Sequence, residues 1–300
     1  MMKSAGSFLA IVLCICLLFT GTFAVAESSD EPKVEWTYPV SVTALQSPYL
    51  ILVNADNLLD KSYKPSPLVK VKNVKRATSA TVELEETTAN ALKAMYDDAL
   101  LVTEYTYVRK DGTSVTQEFP DGMTLYLKSG YRSYGTQATT YANYLARNNN
   151  VDDGYVAKPG ASEHQSGLCF DILNKKFAGL DRMTQDFKHE PEAQWMKENC
   201  ATYGFILRFP EDKEEETGIK FEPWHFRYVG KEVAGYVMST DMSFEEFTVE
   251  SQKALDDFVA NGGNIEEQMD YEFRTMNDPP ESKVLDVYGE DGDPEISLSL

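Results

Sequence analysis

The sequence is sparing with the side chains that most often carry metal and redox chemistry. Only four cysteines and three histidines occur in 300 residues, and no Cys-x-x-Cys pair is present, which excludes a zinc knuckle. Positive charge is also short, with 28 Lys and Arg against 48 Asp and Glu and a formal charge of −20. So acidic a chain has no electrostatic footprint for nucleic acid and is repelled by anionic membrane surfaces. No internal repeat is apparent, which argues against a solenoid or propeller. Apolar residues at 42% and aromatics at 12% are ample for a buried core.

One long apolar run stands at the N-terminus. Lys3 precedes Phe8 to Phe19, and Ala24-Val25-Ala26 offers a cleavage signal before Glu27, so residues 1–26 read as a secretory signal peptide. An uncleaved membrane anchor is the competing reading, although Thr20-Gly21-Thr22 interrupts the span. Either way the working domain is expected outside the cytoplasm. Cys14 and Cys16 would leave with the signal, so Cys169 and Cys200 remain, and an oxidising exterior permits a disulfide between them without requiring it.

Residues 27–49 read as a polar N-terminal linker, and 50–260 as the working domain. Leu50 to Val53, Leu68 to Val71, Val115 to Phe119, Met123 to Lys128, Gly167 to Leu173, Phe205 to Phe209 and Trp224 to Val229 are strand-like. Leu92, Met95, Tyr96, Ala99 and Leu100 recur at helical spacing, predicting an amphipathic helix from Thr88. Further helices are predicted over Thr136 to Arg147, Glu192 to Tyr203 and from the capping box at Ser243-Phe244-Glu245-Glu246 toward Val259. Strands interleaved with helices without βαβ repeats indicate an α+β domain with a mainly antiparallel sheet. From Asn261 to Leu300 the chain is acidic, carries Pro279-Pro280 and lacks periodicity, so a disordered tail is expected.

Function concentrates in two blocks, Ser162-Glu163-His164-Gln165-Ser166-Gly167-Leu168-Cys169-Phe170-Asp171 and Glu222-Pro223-Trp224-His225. A single histidine beside a glycine reads as a packed or surface residue. Two, each with carboxylates at short spacing, can bring two imidazoles and a carboxylate together while another carboxylate stays free. A catalytic zinc site needs that inventory: three protein ligands, an open position for water and a base to take its proton. His189 has no such company.

Together with Ser129-Gly130-Tyr131-Arg132-Ser133 and the continuation to Arg227-Tyr228-Val229-Gly230, these blocks resemble the VanY-type zinc D-alanyl-D-alanine carboxypeptidases, whose wider superfamily includes lysostaphin-type peptidases and the hedgehog fold. The resemblance runs from about Leu50 to Phe247. It implies a hedgehog/DD-peptidase-like fold, Zn2+ bound by His164, Asp171 and His225, Glu222 as general base and Arg132 as the oxyanion-stabilising group. It further implies Ser162 and Gln137 near the substrate, with Tyr131 and Trp224 walling the site. Cys169 departs from the pattern, standing where the family commonly has a small residue. The implied activity is hydrolysis of the terminal D-alanine of peptidoglycan stem peptides, D,D or L,D, by a secreted, cell-wall-associated enzyme. A cross-link endopeptidase and a non-catalytic zinc-containing wall-binding module are the alternatives.

Overall fold

A computed structural model describes residues 34–180 and 182–277. Its strands are β1 (Leu68–Lys70), β2 (Glu83–Glu85), β3 (Glu104–Val108), β4 (Ser114–Glu118), β5 (Tyr126–Ser129), β6 (Cys169–Leu173), β7 (Phe205–Leu207) and β8 (His225–Tyr228). Helices are α1 (Val42–Leu45), α2 (Glu86–Ala99), α3 (Tyr134–Arg147), α4 (Lys175–Ala178), α5 (Pro191–Asn199), α6 (Glu214–Thr217), α7 (Lys231–Thr240), α8 (Phe244–Ala260) and α9 (Ile265–Asn277). The pairs β1–β2 and β3–β4 are separate two-stranded ladders, and the central sheet runs β5-β6-β8-β7. Every paired strand in these three sheets is antiparallel, in keeping with the α+β architecture expected from the sequence.

The central sheet divides its side chains by the period of two. Opposite residues in an antiparallel ladder point to one face, so Phe170 beside Phe226, with Leu127 beside Ile172, build the apolar face. That face meets the α2 stripe of Ala89, Leu92, Met95, Tyr96 and Ala99 in the larger core. Asp171 beside His225, and Cys169 beside Arg227, project from the other face. A second core of Val233, Ala234, Val237, Phe244 and Phe247, with Val40 and Ile206, lies between α7, α8 and the N-terminal segment. The two faces thus assign stability and chemistry to alternate residues of the same strands.

The Ser243 capping box is formed: Ser243 Oγ accepts from Glu246 N at 3.1 Å, and Glu246 accepts from Ser243 N at 2.7 Å. Four sequence expectations need correction. Leu50 to Val53 form no strand; Pro48–Leu50 is a short 3-10 turn, and Ile51 lends its carbonyl to Arg227 at 2.7 Å. The supposed linker is packed from Trp36 onward, where the indole meets Phe258 edge-on at 5.2 Å and donates to the Val40 carbonyl at 2.8 Å. The acidic tail is helical as far as Asn277. Ile265, Gln268, Met269, Glu272 and Thr275 turn inward at helical spacing, and Glu272 caps α1 by accepting from the amides of Val42 at 2.9 Å and Thr43 at 2.8 Å. Acidity was the wrong guide there, because a carboxylate at a helix N-terminus is stabilising. Finally, β2, β3, α7 and the short helices α1, α4 and α6 had no counterpart in the sequence reading. The remaining tail and the leader lie outside the described residues.

Phe226 is fully buried in the larger core, so Phe226→Ala is expected to cost about 3–5 kcal/mol. Ser243→Ala should cost only about 1 kcal/mol through the lost cap. Urea unfolding of both variants checks the contrast, and a Phe226→Ala cost below that of the cap would remove this face from the core.

Candidate active site

Three short segments converge above the polar face of the sheet. The first is a 3-10 turn, Glu163–Ser166, ended by Gly167 in the left-handed region at φ 71°. A Cβ on Gly167 would stand 2.9 Å from Pro65 Cγ and 3.2 Å from the Glu85 amide nitrogen, so both its backbone angle and its space demand glycine. The turn locks onto the Ser129–Ser133 segment: Arg132 N donates to the His164 carbonyl at 3.0 Å. His164 Nδ1 lies 2.7 Å from the Gly130 carbonyl oxygen. Because a carbonyl oxygen only accepts, that bond places a proton on Nδ1 and leaves Nε2 facing Asp171, whose Oδ2 is 3.4 Å away.

The second segment is β6, where full burial of Cys169–Leu173 holds Asp171 rigidly. The third is the tight turn Glu222–His225, closed by the His225 amide donating to the Glu222 carbonyl at 3.1 Å. This turn feeds straight into β8, so the ladder register sets His225 opposite Asp171. His225 Nδ1 is 3.1 Å from Asp171 Oδ1 and 3.5 Å from Glu222 Oε2. The two imidazole rings stand 5.0 Å apart and nearly perpendicular. Donor atoms of Asp171, Glu222 and His225 lie within 4.8 Å of one another, as do those of His164, Cys169 and His225. His225 belongs to both groups and Asp171 also lies 3.4 Å from His164, so imidazole nitrogens stand beside carboxylate oxygens, donor types that fit zinc.

Burial shapes the electrostatics. It pushes the Glu222 carboxyl up to about 7, a range in which a carboxylate exchanges protons readily near neutrality. Burial would also raise Asp171, but His164 and His225 hold it well below the usual carboxylate range. Glu163 is likewise buried and opposed by Arg208 and Arg227, which keep its carboxyl low. Cys169 and Cys200 are both buried free thiols, so the disulfide alternative is not realised. Cys200 lies in the larger core.

A cavity of about 170 Å³ opens over these groups. Arg132, Gln137, Ser162, Glu222 and Trp224 line it together with His164, Asp171 and His225. Arg132 is aimed by its neighbours: Nη1 donates to Gln137 Oε1 at 2.7 Å and Nη2 to Ser129 Oγ at 3.2 Å. Gln137 is itself fixed by donating to the Ala157 carbonyl at 2.6 Å. Tyr131 and His189 do not line the cavity; Tyr155, Met183, Phe209 and Ile219 do. The sequence reading missed these four, which come from loops that no motif marks. It also passed over Glu163, although that residue sits inside the first block.

The model of the VanY, D-alanyl-D-alanine carboxypeptidase family matches residues 114–231. The chain is 39% identical over 122 residues to the bifunctional D-Ala-D-Ala dipeptidase and D-Ala-D-Ala carboxypeptidase VanXYC of Enterococcus gallinarum, covering 40% of this chain and 64% of that protein. It spans 66% or less of the length of the first curated relatives it matches. Among solved structures, the LdcB LD-carboxypeptidase superposes with a TM-score of 0.55 at 32% identity, over 68% of this chain and 87% of that one. The D,D-dipeptidase VanXYg, in complex with a D-Ala-D-Ala phosphinate analog, superposes with a TM-score of 0.50 at 30% identity, over 67% of this chain and 70% of that one.

Gly167→Ala should destabilise the protein by about 1–3 kcal/mol, because the left-handed backbone and the Pro65 contact both oppose a methyl group. The denaturant midpoint reads the loss, and an unchanged midpoint would show that the turn can relax.

Proposed function

The chain belongs to the VanY D-alanyl-D-alanine carboxypeptidase family, and on that footing we propose that it is a zinc-dependent carboxypeptidase removing the terminal D-alanine from peptidoglycan stem peptides. The observation that carries this reading is the approach of His164 and His225 to Asp171, at 3.4 and 3.1 Å, beside Glu222 and with Arg132 on the wall of the same cavity. His164 Nε2, an Asp171 oxygen and His225 Nδ1 would hold the ion. Zinc bound there would supply Lewis acidity and lower the pKa of a coordinated water toward ~7.

Glu222 is the general base and acid in this scheme: its carboxylate takes a proton from the attacking water and returns it to the leaving amine. Its position three residues before His225 keeps it beside the ligands, and its burial raises its proton affinity into the working range. Arg132, fixed by Gln137 and Ser129, presents its planar fork to the carbonyl oxygen that gains charge. Ser162 and Trp224 shape the cavity around the peptide. A free terminal carboxylate is the natural recognition element for such an enzyme. The leader read over residues 1–26 supports action outside the cytoplasm, where peptidoglycan is found.

Elemental analysis of the purified protein should find close to one zinc per chain, lost in His164→Ala and in His225→Ala; full retention by both variants would sink the ligand assignment. Glu222→Gln should keep zinc and fold while losing on the order of 10²–10⁴ in rate, and Arg132→Lys should also be strongly impaired. Near-normal turnover by Glu222→Gln would move the base elsewhere. Synthetic tetrapeptides and pentapeptides ending in D-alanine should release that residue, and amidating the terminus should suppress cleavage by roughly tenfold to a hundredfold for a lost contact of ~1.5–3 kcal/mol. Equal cleavage of amidated and free peptides would favour an endopeptidase, and no cleavage by zinc-loaded protein a binding module.

A further inference from the structure

His225 has one ring nitrogen too many for the site described so far. Nδ1 faces Asp171 and Glu222, whereas Nε2 points away from them and lies 3.7 Å from Glu163 Oε2. Both atoms are buried, and neither has a hydrogen-bond partner. Unpaired buried polar atoms are uncommon, and each costs on the order of 1–3 kcal/mol. Here the two orphans face each other, a donor site opposite an acceptor, separated by less than an ångström more than a hydrogen bond requires.

Glu163 cannot drift from this position. Its other oxygen, Oε1, accepts from Arg208 Nε at 2.8 Å and from Arg227 Nη1 at 2.6 Å. Arg208 is gripped in turn by both oxygens of Glu245 at 2.7 and 2.6 Å. Two carboxylates thus balance two guanidinium groups, so Glu163 stays an anionic acceptor without an unpaired buried charge. The paired oxygen anchors it, and the other remains available to His225.

We propose that Glu163 is a positioning residue of the hydrolytic centre, accepting the Nε2 proton of His225 and thereby fixing the tautomer whose Nδ1 lone pair is offered to the metal. This rests on the reading of His225 as a ligand. The two histidines then use opposite nitrogens, each with its remaining N–H held by a fixed acceptor: the Gly130 carbonyl for His164, the Glu163 carboxylate for His225. A carboxylate acceptor also makes its imidazole the more basic ligand of the two.

The competing role for Glu163 is that of a counter-ion alone, and two readouts separate them. In the full chain with 15N-labelled histidine and bound zinc, His225 should show a metal-bound Nδ1 and a slowly exchanging, downfield Nε2 proton. Glu163→Gln should shift that proton upfield and weaken zinc binding by 10- to 100-fold in chelator competition. Glu245→Gln, which disturbs the arginine cluster without touching His225, should leave zinc affinity within about twofold. If Glu163→Gln loses stability yet keeps the wild-type proton shift and zinc affinity, the proposal is overturned. Should Glu163→Gln fail to fold, Glu163→Asp retains the charge but shortens the reach, and wild-type zinc affinity in that variant overturns the proposal equally. A wild-type spectrum in which zinc leaves Nδ1 of His225 unchanged would overturn the ligand reading itself, a result distinguishable from the others.

Discussion

Two arginines with no solvent exposure, Arg208 and Arg227, share a single carboxylate oxygen of Glu163, and most of the working region is tied to that contact. Arg208 follows β7 and reaches Glu245 on α8, while Arg227 lies in β8 and donates to the carbonyls of Tyr49 and Ile51 at 2.8 and 2.7 Å. The 3-10 turn, two strands, a helix and the N-terminal segment are therefore joined at one point. Both guanidinium planes also lie over the Phe244 ring, at 5.5 and 5.1 Å, so the polar node sits against the second apolar core. Removing one member of such a network strands buried charge, at a cost of about 3–5 kcal/mol. A geometry this costly to loosen suits a turn that must hold His164.

The arrangement of the candidate site follows from ladder register more than from loop shape. Because Asp171 stands opposite His225, and Ser129 opposite Asp171, three neighbouring strands bring Asp171, His225 and a hydrogen-bond partner of Arg132 to one face. A slip of one residue in β8 would send His225 into the core and bring Phe226 to the site. The apolar packing of Phe170, Ile172 and Phe226 forbids that slip. Core packing on one face thus fixes the chemistry on the other.

The local signals in the chain were of unequal value. The stripe from Leu92 to Leu100 and the Ser243 capping box identify α2 and α8 because both depend on side chains a few residues apart. Acidity misled over α9, where the fate of Glu272 is decided by α1, some 230 residues away in sequence. The strand expected over Leu50 to Val53 failed for a similar reason: the Ile51 carbonyl is claimed by Arg227 from another part of the chain. No window of sequence contains either partner.

The sequence by itself determined which residue types could do the chemistry. His164, Asp171, Glu222 and His225 are legible because scarce histidines lie beside carboxylates within two compact blocks, and Gly167 because its neighbours define a motif. Tertiary structure decided how they meet: which nitrogen of each imidazole faces the carboxylates, that Cys169 and Cys200 stay apart as thiols, and that Tyr155 and Phe209 rather than Tyr131 wall the cavity. It also decided that Glu163 is shared between two arginines and faces a third partner, His225. These are contacts between residues distant in the chain, created by burial and strand register, and neither composition nor local spacing records them.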